Sequence, residues 1–140
     1  MLNKIKQLKK NKKGFTLIEL VVVLVIIAIL AAITVPVVTG YIEDANNARY
    51  VSEARSIYLV VQAEEAKATA KGTPITDYST LVSVANDKVE ATATNGSTIT
   101  VTSIGYDTTA NKYTVVFTSN SKTITAEIDP NNEIKITNKA

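Results

Sequence analysis

Hydrophobic positions change their spacing three times along the chain. From Leu20 to Ile33 fourteen apolar residues follow one another. Counted from Phe15 to Val38 the stretch has 24 residues, interrupted only by Thr16, Glu19, Thr34 and Pro36. As a helix it rises ~1.5 Å per residue and spans ~36 Å, enough to cross a hydrocarbon layer of roughly 30 Å. Its many β-branched residues are tolerated in lipid, where a helix satisfies its backbone internally. Over residues 39–71 the chain turns polar and Ala-rich. Tyr41, Ala45, Ala48, Ser52, Ser56, Leu59, Ala63, Ala66 and Ala70 recur at steps of three and four and predict a stripe of mostly small residues along one helix face. Arg49 and Glu53 sit four apart and read as a solvated flank. Pro36 and Gly40 predict a kink or local loosening rather than a stop, because helical spacing resumes beyond them. Lys71-Gly72-Thr73-Pro74 ends the helix.

Beyond residue 72 the pattern shortens. Asp77 is placed to cap a short helix over residues 78–86, with Leu81, Val82 and Ala85 facing inward. Then the period becomes two. Ile99 and Val101, then Tyr113, Val115 and Phe117, then Ile124, Ala126 and Ile128, then Ile134 and Ile136 alternate with mostly Thr and charged positions. Asn95-Gly96, Asn111, Asn120 and Asp129-Pro130-Asn131 punctuate them as hairpin turns. The fold class that follows is α+β: a long N-terminal helix, half apolar and half amphipathic, packed on a C-terminal antiparallel sheet of four or five strands. The segments are a basic stretch at 1–14, an apolar helix at 15–38, an amphipathic half at 39–71, and a globular head at 72–140 with the short helix and the sheet.

Charge sharpens the division. The chain holds 15 Lys and Arg against 13 Asp and Glu. Six of those lysines, Lys4, Lys6, Lys9, Lys10, Lys12 and Lys13, precede the apolar run, and no acid accompanies them. The remainder is mildly acidic, so a nucleic-acid footprint over the whole fold is not indicated. Lysines before the span and Glu43 and Asp44 after it orient the N-terminal side to the cytoplasm and residues 39–140 outside. The chain has no Cys, His or Trp. Disulfides, thiolate metal sites, Cys nucleophiles and the commonest general base are thereby excluded. Glu64 and Glu65 are sequence neighbours that diverge on a helix. No catalytic dyad, metal cluster or cofactor motif is seen, and the chain is read as a non-enzyme.

The block Lys12-Lys13-Gly14-Phe15-Thr16-Leu17-Ile18-Glu19-Leu20, followed by the apolar run and Pro36, resembles a type IV pilin precursor or pilin-like protein. The resemblance is strong from about Lys9 to Gly40 and persists only in layout beyond. It implies that a membrane prepilin peptidase cuts between Gly14 and Phe15, after the basic leader of Lys9, Lys10, Lys12 and Lys13, and methylates the new amine on Phe15. It implies that Glu19 pairs with the N-terminal amine of a neighbouring copy during assembly, and that the helix loosens around residues 28–36 in a filament. The implied partners are further copies of the chain, the peptidase, an assembly ATPase and a platform protein. The implied location is the cytoplasmic membrane first and an extracellular filament afterwards. Physical sense supports Glu19: a charge within an apolar span costs ~2.5–3.5 kcal/mol even on lenient scales, so something must compensate.

Two other readings stand beside it. Within the same structural class lies a pseudopilin of a secretion or DNA-uptake system, the one case in which nucleic acid enters. In another class, residues 1–32 are a secretory signal or plain anchor for a binding module, although Glu19 puts a charge where such a signal is cleanest. Asn95-Gly96-Ser97 fits a glycosylation sequon but reads first as a turn. The Thr-rich strand face reads as a solvated β-face. The six Tyr and two Phe are read as spread out, with no aromatic stripe. The related pilins often close their C-terminal loop with two cysteines, and this chain has none. How its last strands are held is left open.

Overall fold

A computed structural model of the chain describes residues 14–90 and 98–140. The six N-terminal lysines and the Asn95-Gly96-Ser97 sequence lie outside the described residues. The chain divides into two compact units, Met1–Ile42 and Glu43–Ala140. The elements run α1 (Leu17–Ala70), a 3-10 turn (Tyr78–Thr80), α2 (Leu81–Glu90), β1 (Ile99–Asp107), β2 (Lys112–Ser119), β3 (Lys122–Ile128) and β4 (Ile134–Lys139).

In the first unit every described residue is exposed. The α1 segment here is long and apolar enough to cross a membrane, with a mean hydropathy of 3.2 over its most apolar window. α1 continues through Pro36 without interruption. Proline has no N–H to offer the carbonyl four residues back. Two hydroxyls bond to carbonyls on either side: Thr34 Oγ1 donates to Leu30 O at 2.8 Å, and Thr39 Oγ1 donates to Pro36 O at 2.9 Å. A Cβ added at Gly40 would meet nothing within 4 Å, so no contact within the chain demands a glycine there.

In the second unit the sheet is an antiparallel meander in the order β1-β2-β3-β4. Its inner face buries Val101, Ile104, Val115, Phe117, Ile124, Ala126 and Ile128, with Ile99, Tyr113, Ile134 and Ile136 half-buried beside them. The alternation expected from sequence holds in β2 and β3. In β1 it breaks, because the register slips between Val101 and Ser103. The extra residue of this bulge turns Ile104, three positions after Val101, to the core. The β2–β3 hairpin turns on Asn120 and Ser121, both at positive φ, the geometry that matches strand twist. Asp77 caps as expected: its Oδ1 accepts from Ser79 N at 2.9 Å. It caps the 3-10 turn rather than an α-helix, and α2 continues to Glu90 beyond the expected end. α1 closes with Gly72 at φ 73, where Gly72 N donates to Thr69 O and Thr73 N to Ala68 O. That is the Schellman pattern, which favours glycine at the left-handed position.

The helix face that meets the sheet is not the small-residue stripe. α1 buries Tyr50, Glu53, Ala54, Ile57, Tyr58 and Val61. Tyr41, Ala45, Ala48, Ser52, Leu59, Ala63, Ala66 and Ala70 are all exposed and Ser56 is half-buried. Two stripes share the spacing, and the one with larger side chains removes more apolar area from water, at roughly 25 cal/mol per Å². Glu53 is thus a core residue, not part of a solvated flank. Its Oε1 accepts from Ser119 Oγ at 3.0 Å and lies 3.5 Å from Arg49 Nε.

The structure also shows how the last strand is held without cysteine. Thr123 and Ala140 exchange two backbone bonds of 2.8 and 2.9 Å. Lys139 Nζ reaches Asn47 Oδ1 at 2.5 Å and Glu43 Oε1 at 3.5 Å, tying β4 to α1. Both sheet edges are blunted. On β1, Asn86 mimics a neighbouring strand: its Nδ2 donates to Val101 O at 3.0 Å, and its Oδ1 accepts from Val101 N at 2.6 Å. On β4, Lys135, Lys139 and a register slip opposite Thr125 and Ala126 discourage pairing. Substituting Asn86→Leu should cost about 1–3 kcal/mol, because two part-buried backbone groups lose their partners. Urea unfolding of the full chain in detergent, with a midpoint unchanged from the parent, would refute this.

Candidate processing and assembly site

Of the residues singled out at the N-terminus, Glu19 lies on the first turn of α1 and pairs with Thr16. Thr16 stands immediately before α1 and Glu19 is its third residue. Glu19 N donates to Thr16 Oγ1 at 3.3 Å, and Thr16 N donates to Glu19 Oε2 at 3.5 Å. This reciprocal pair is a capping box, which serves two of the N–H groups that a helix start leaves unpaired. The carboxylate also lies at the positive end of the helix dipole. Glu19 therefore has a local partner within a single copy, through long bonds in an exposed position. Sequence reading gave it an intermolecular partner alone; the T-x-x-E spacing of Thr16 and Glu19 carried the missed signal.

Gly14 and Phe15 lie just outside α1. Phe15 is 85 % exposed, and a Cβ at Gly14 would meet nothing within 4 Å. The Gly14–Phe15 peptide bond is thus open to approach. Pro36 and Gly40 lie far along α1 and take no part in this turn. From Phe15 to Val38 each large hydrophobic side chain is exposed, the range running from 43 % at Val21 to 85 % at Phe15. Surfaces this apolar, beyond the few hundred Å² a lone soluble protein shows, need lipid or protein against them.

The head contains a cluster that sequence reading missed. Four of the six tyrosines, spread along the chain from residue 58 to 113, come together. Ring centroids stand 5.2 Å apart for Tyr58–Tyr113, 4.7 Å for Tyr106–Tyr113, 5.4 Å for Tyr78–Tyr106 and 5.7 Å for Tyr78–Tyr113. Glu65 Oε1 accepts from Tyr78 Oη at 2.6 Å and from Tyr113 Oη at 2.7 Å. Tyr106 Oη donates to Asn111 Oδ1. The expected divergence of the adjacent carboxylates is seen: Glu64 turns instead to Lys67 and Lys88, at 2.8 and 2.5 Å. Those two lysines hold the Glu64 carboxyl down to about 2. The Tyr106–Tyr113 cross-strand pairing is what brings the rings together, and no single segment reveals it.

This cluster fastens the end of α1 to the 3-10 turn and to β2. Burial first, and then the bond to Glu65, push both phenols up, Tyr78 to about 12. A phenol pKa raised by folding contributes stability that is complete below pH ~10 and is lost as pH rises through the folded value. Alkaline unfolding should therefore begin above pH ~10, and Tyr78→Phe together with Tyr113→Phe should flatten that limb while lowering stability at neutral pH. Parallel stability–pH curves for parent and double variant above pH 10 would contradict the assignment.

Compared with known proteins, residues 9–35 match the family model for the prokaryotic N-terminal methylation motif, the signature of type IV prepilins. No curated protein and no solved structure matches the chain.

Proposed function

Residues 9–35 carry the prepilin signature and make the chain type IV pilin-like, and we propose that it is a structural subunit of an extracellular type IV filament. Prepilin peptidase cuts between Gly14 and Phe15 and methylates the Phe15 amine. Until assembly the apolar half of α1 rests in the cytoplasmic membrane as a single span, N-terminus inward, with the head outside. Further copies, an assembly ATPase and a platform protein are its partners.

The observation that carries this reading is the conjunction of an exposed Gly14–Phe15 junction, Glu19 on the first turn, and a helix exposed along all its apolar length, within and just beyond the matched segment. The blunted sheet edges support it as well, since they direct self-association away from strand pairing. The new amine on Phe15 offers Glu19 a stronger partner than the 3.5 Å bond to Thr16, because the amine carries a full opposite charge where the Thr16 N–H carries none. Transfer from the capping box to a neighbour's amine then fixes the register of helices that otherwise slide. Pro36 and Gly40 mark where α1 loosens in the assembled state. Deleting the gene and imaging the cell surface tests the reading: filaments that contain this chain should vanish with deletion and return on complementation. Unchanged filaments would refute it.

A further inference from the structure

Beyond Ile42 the described surface is almost free of large exposed apolar groups. In the unit Glu43–Ala140, Leu59 is the exception, 58 % exposed on α1. It stands on the wall of a groove of about 250 Å³ between α1 and α2, together with Ser56, Val60, Ala63 and Val89, with Lys88 at the rim. The groove is mostly apolar. Val89 also belongs to the buried core, so the floor is fixed by the head's own packing.

We infer that this groove is where the head of one copy receives the apolar helix of a second copy, with Leu59 as the anchor. The inference rests on the filament reading and names a surface that reading leaves unspecified. Three observations select the occupant. Each copy presents one long apolar helical surface from Phe15 to Val38 that requires cover once it leaves lipid. Among the described residues of the head, one exposed large hydrophobic exists to provide it, and it lines a concavity. The remaining faces are less suitable: both sheet edges are blunted, and the outer sheet face carries Thr100, Thr114, Thr118, Thr123 and Thr125 around a single half-buried Val116. Because the groove and the helix are different surfaces, the contact is heterologous. Such contacts repeat without closing unless the rotation forms a ring, so they build open filaments.

Two variants of the full chain in its own host test this. Leu59→Glu should lower filament yield at least tenfold, while leader removal and the head's thermal transition stay as in the parent. The chain has no cysteine, so Leu59→Cys can be paired in turn with Leu20→Cys, Leu24→Cys or Ile27→Cys. Oxidised filaments should then show a disulfide-linked ladder for at least one pair, and none for any single cysteine. Filaments at parental yield from Leu59→Glu, or filaments that form with all three pairs and show no ladder, overturn the groove assignment and leave the filament reading intact. A parent chain that keeps its leader and forms no filaments overturns the filament reading, and the groove assignment falls with it.

Discussion

Glu19→Ala leaves a subunit that enters the membrane and loses its leader but scarcely builds filaments. The substitution removes a charge whose residence in the span costs ~2.5–3.5 kcal/mol, so anchoring improves if it changes at all. The helix start loses one of its two capping-box bonds, that from Thr16 N, while Thr16 Oγ1 still accepts from the backbone N–H of residue 19. That is small beside a helix held by lipid. The larger loss falls on assembly. Breaking one side of a buried ion pair costs roughly 3–5 kcal/mol, a factor of a hundred or more in the equilibrium for adding a copy. Glu19→Gln separates the two roles, because its amide oxygen still accepts from Thr16 N while the charge is gone. Filament yield should fall with both variants, and sheared filaments quantified against total protein provide the measure. Parental yield from Glu19→Gln would place the function of Glu19 in the cap.

The second large effect concerns the head. Phe117 is fully buried at the centre of the sheet's inner face and stands in register with Val101 on one side and Ile124 on the other. Phe117→Ala should cost about 3–5 kcal/mol in lost transfer energy and cavity. A domain of this size has only about 5–15 kcal/mol to lose, and this one has no disulfide to limit its unfolded state. The melting temperature should drop by tens of degrees, at roughly 4–8 °C per kcal/mol. A shift under about 5 °C would show that the core does not depend on this ring.

The sequence revealed more about the elements than about how they meet. Period two placed the inner residues of β2 and β3, because a strand's two faces follow from alternation alone. The apolar run and its terminal Gly14-Phe15 and Glu19 were legible because the cost of burying a charge makes Glu19 conspicuous. The packed face of α1 was not legible. Spacing fits both the small-residue stripe and the Tyr50-Ala54-Ile57-Tyr58-Val61 face, and only the sheet's presence decides between them. Glu53 was misread for the same reason: its partner Ser119 lies 66 residues away. The tyrosine cluster around Glu65 depends on strand register, and the β1 bulge depends on backbone geometry. The Lys139 tie to Asn47 and Glu43 joins a helix to the last strand. Each of these is a product of tertiary contact, not of local pattern.

In the proposed filament, removal of residues 1–14 exposes the Phe15 amine that Glu19 engages. Mass spectrometry of the N-terminal peptide from the native protein is the decisive test. The expected species begins at Phe15 and carries one added methyl group. A chain that begins at Met1, or one that starts near Thr34, would contradict this reading.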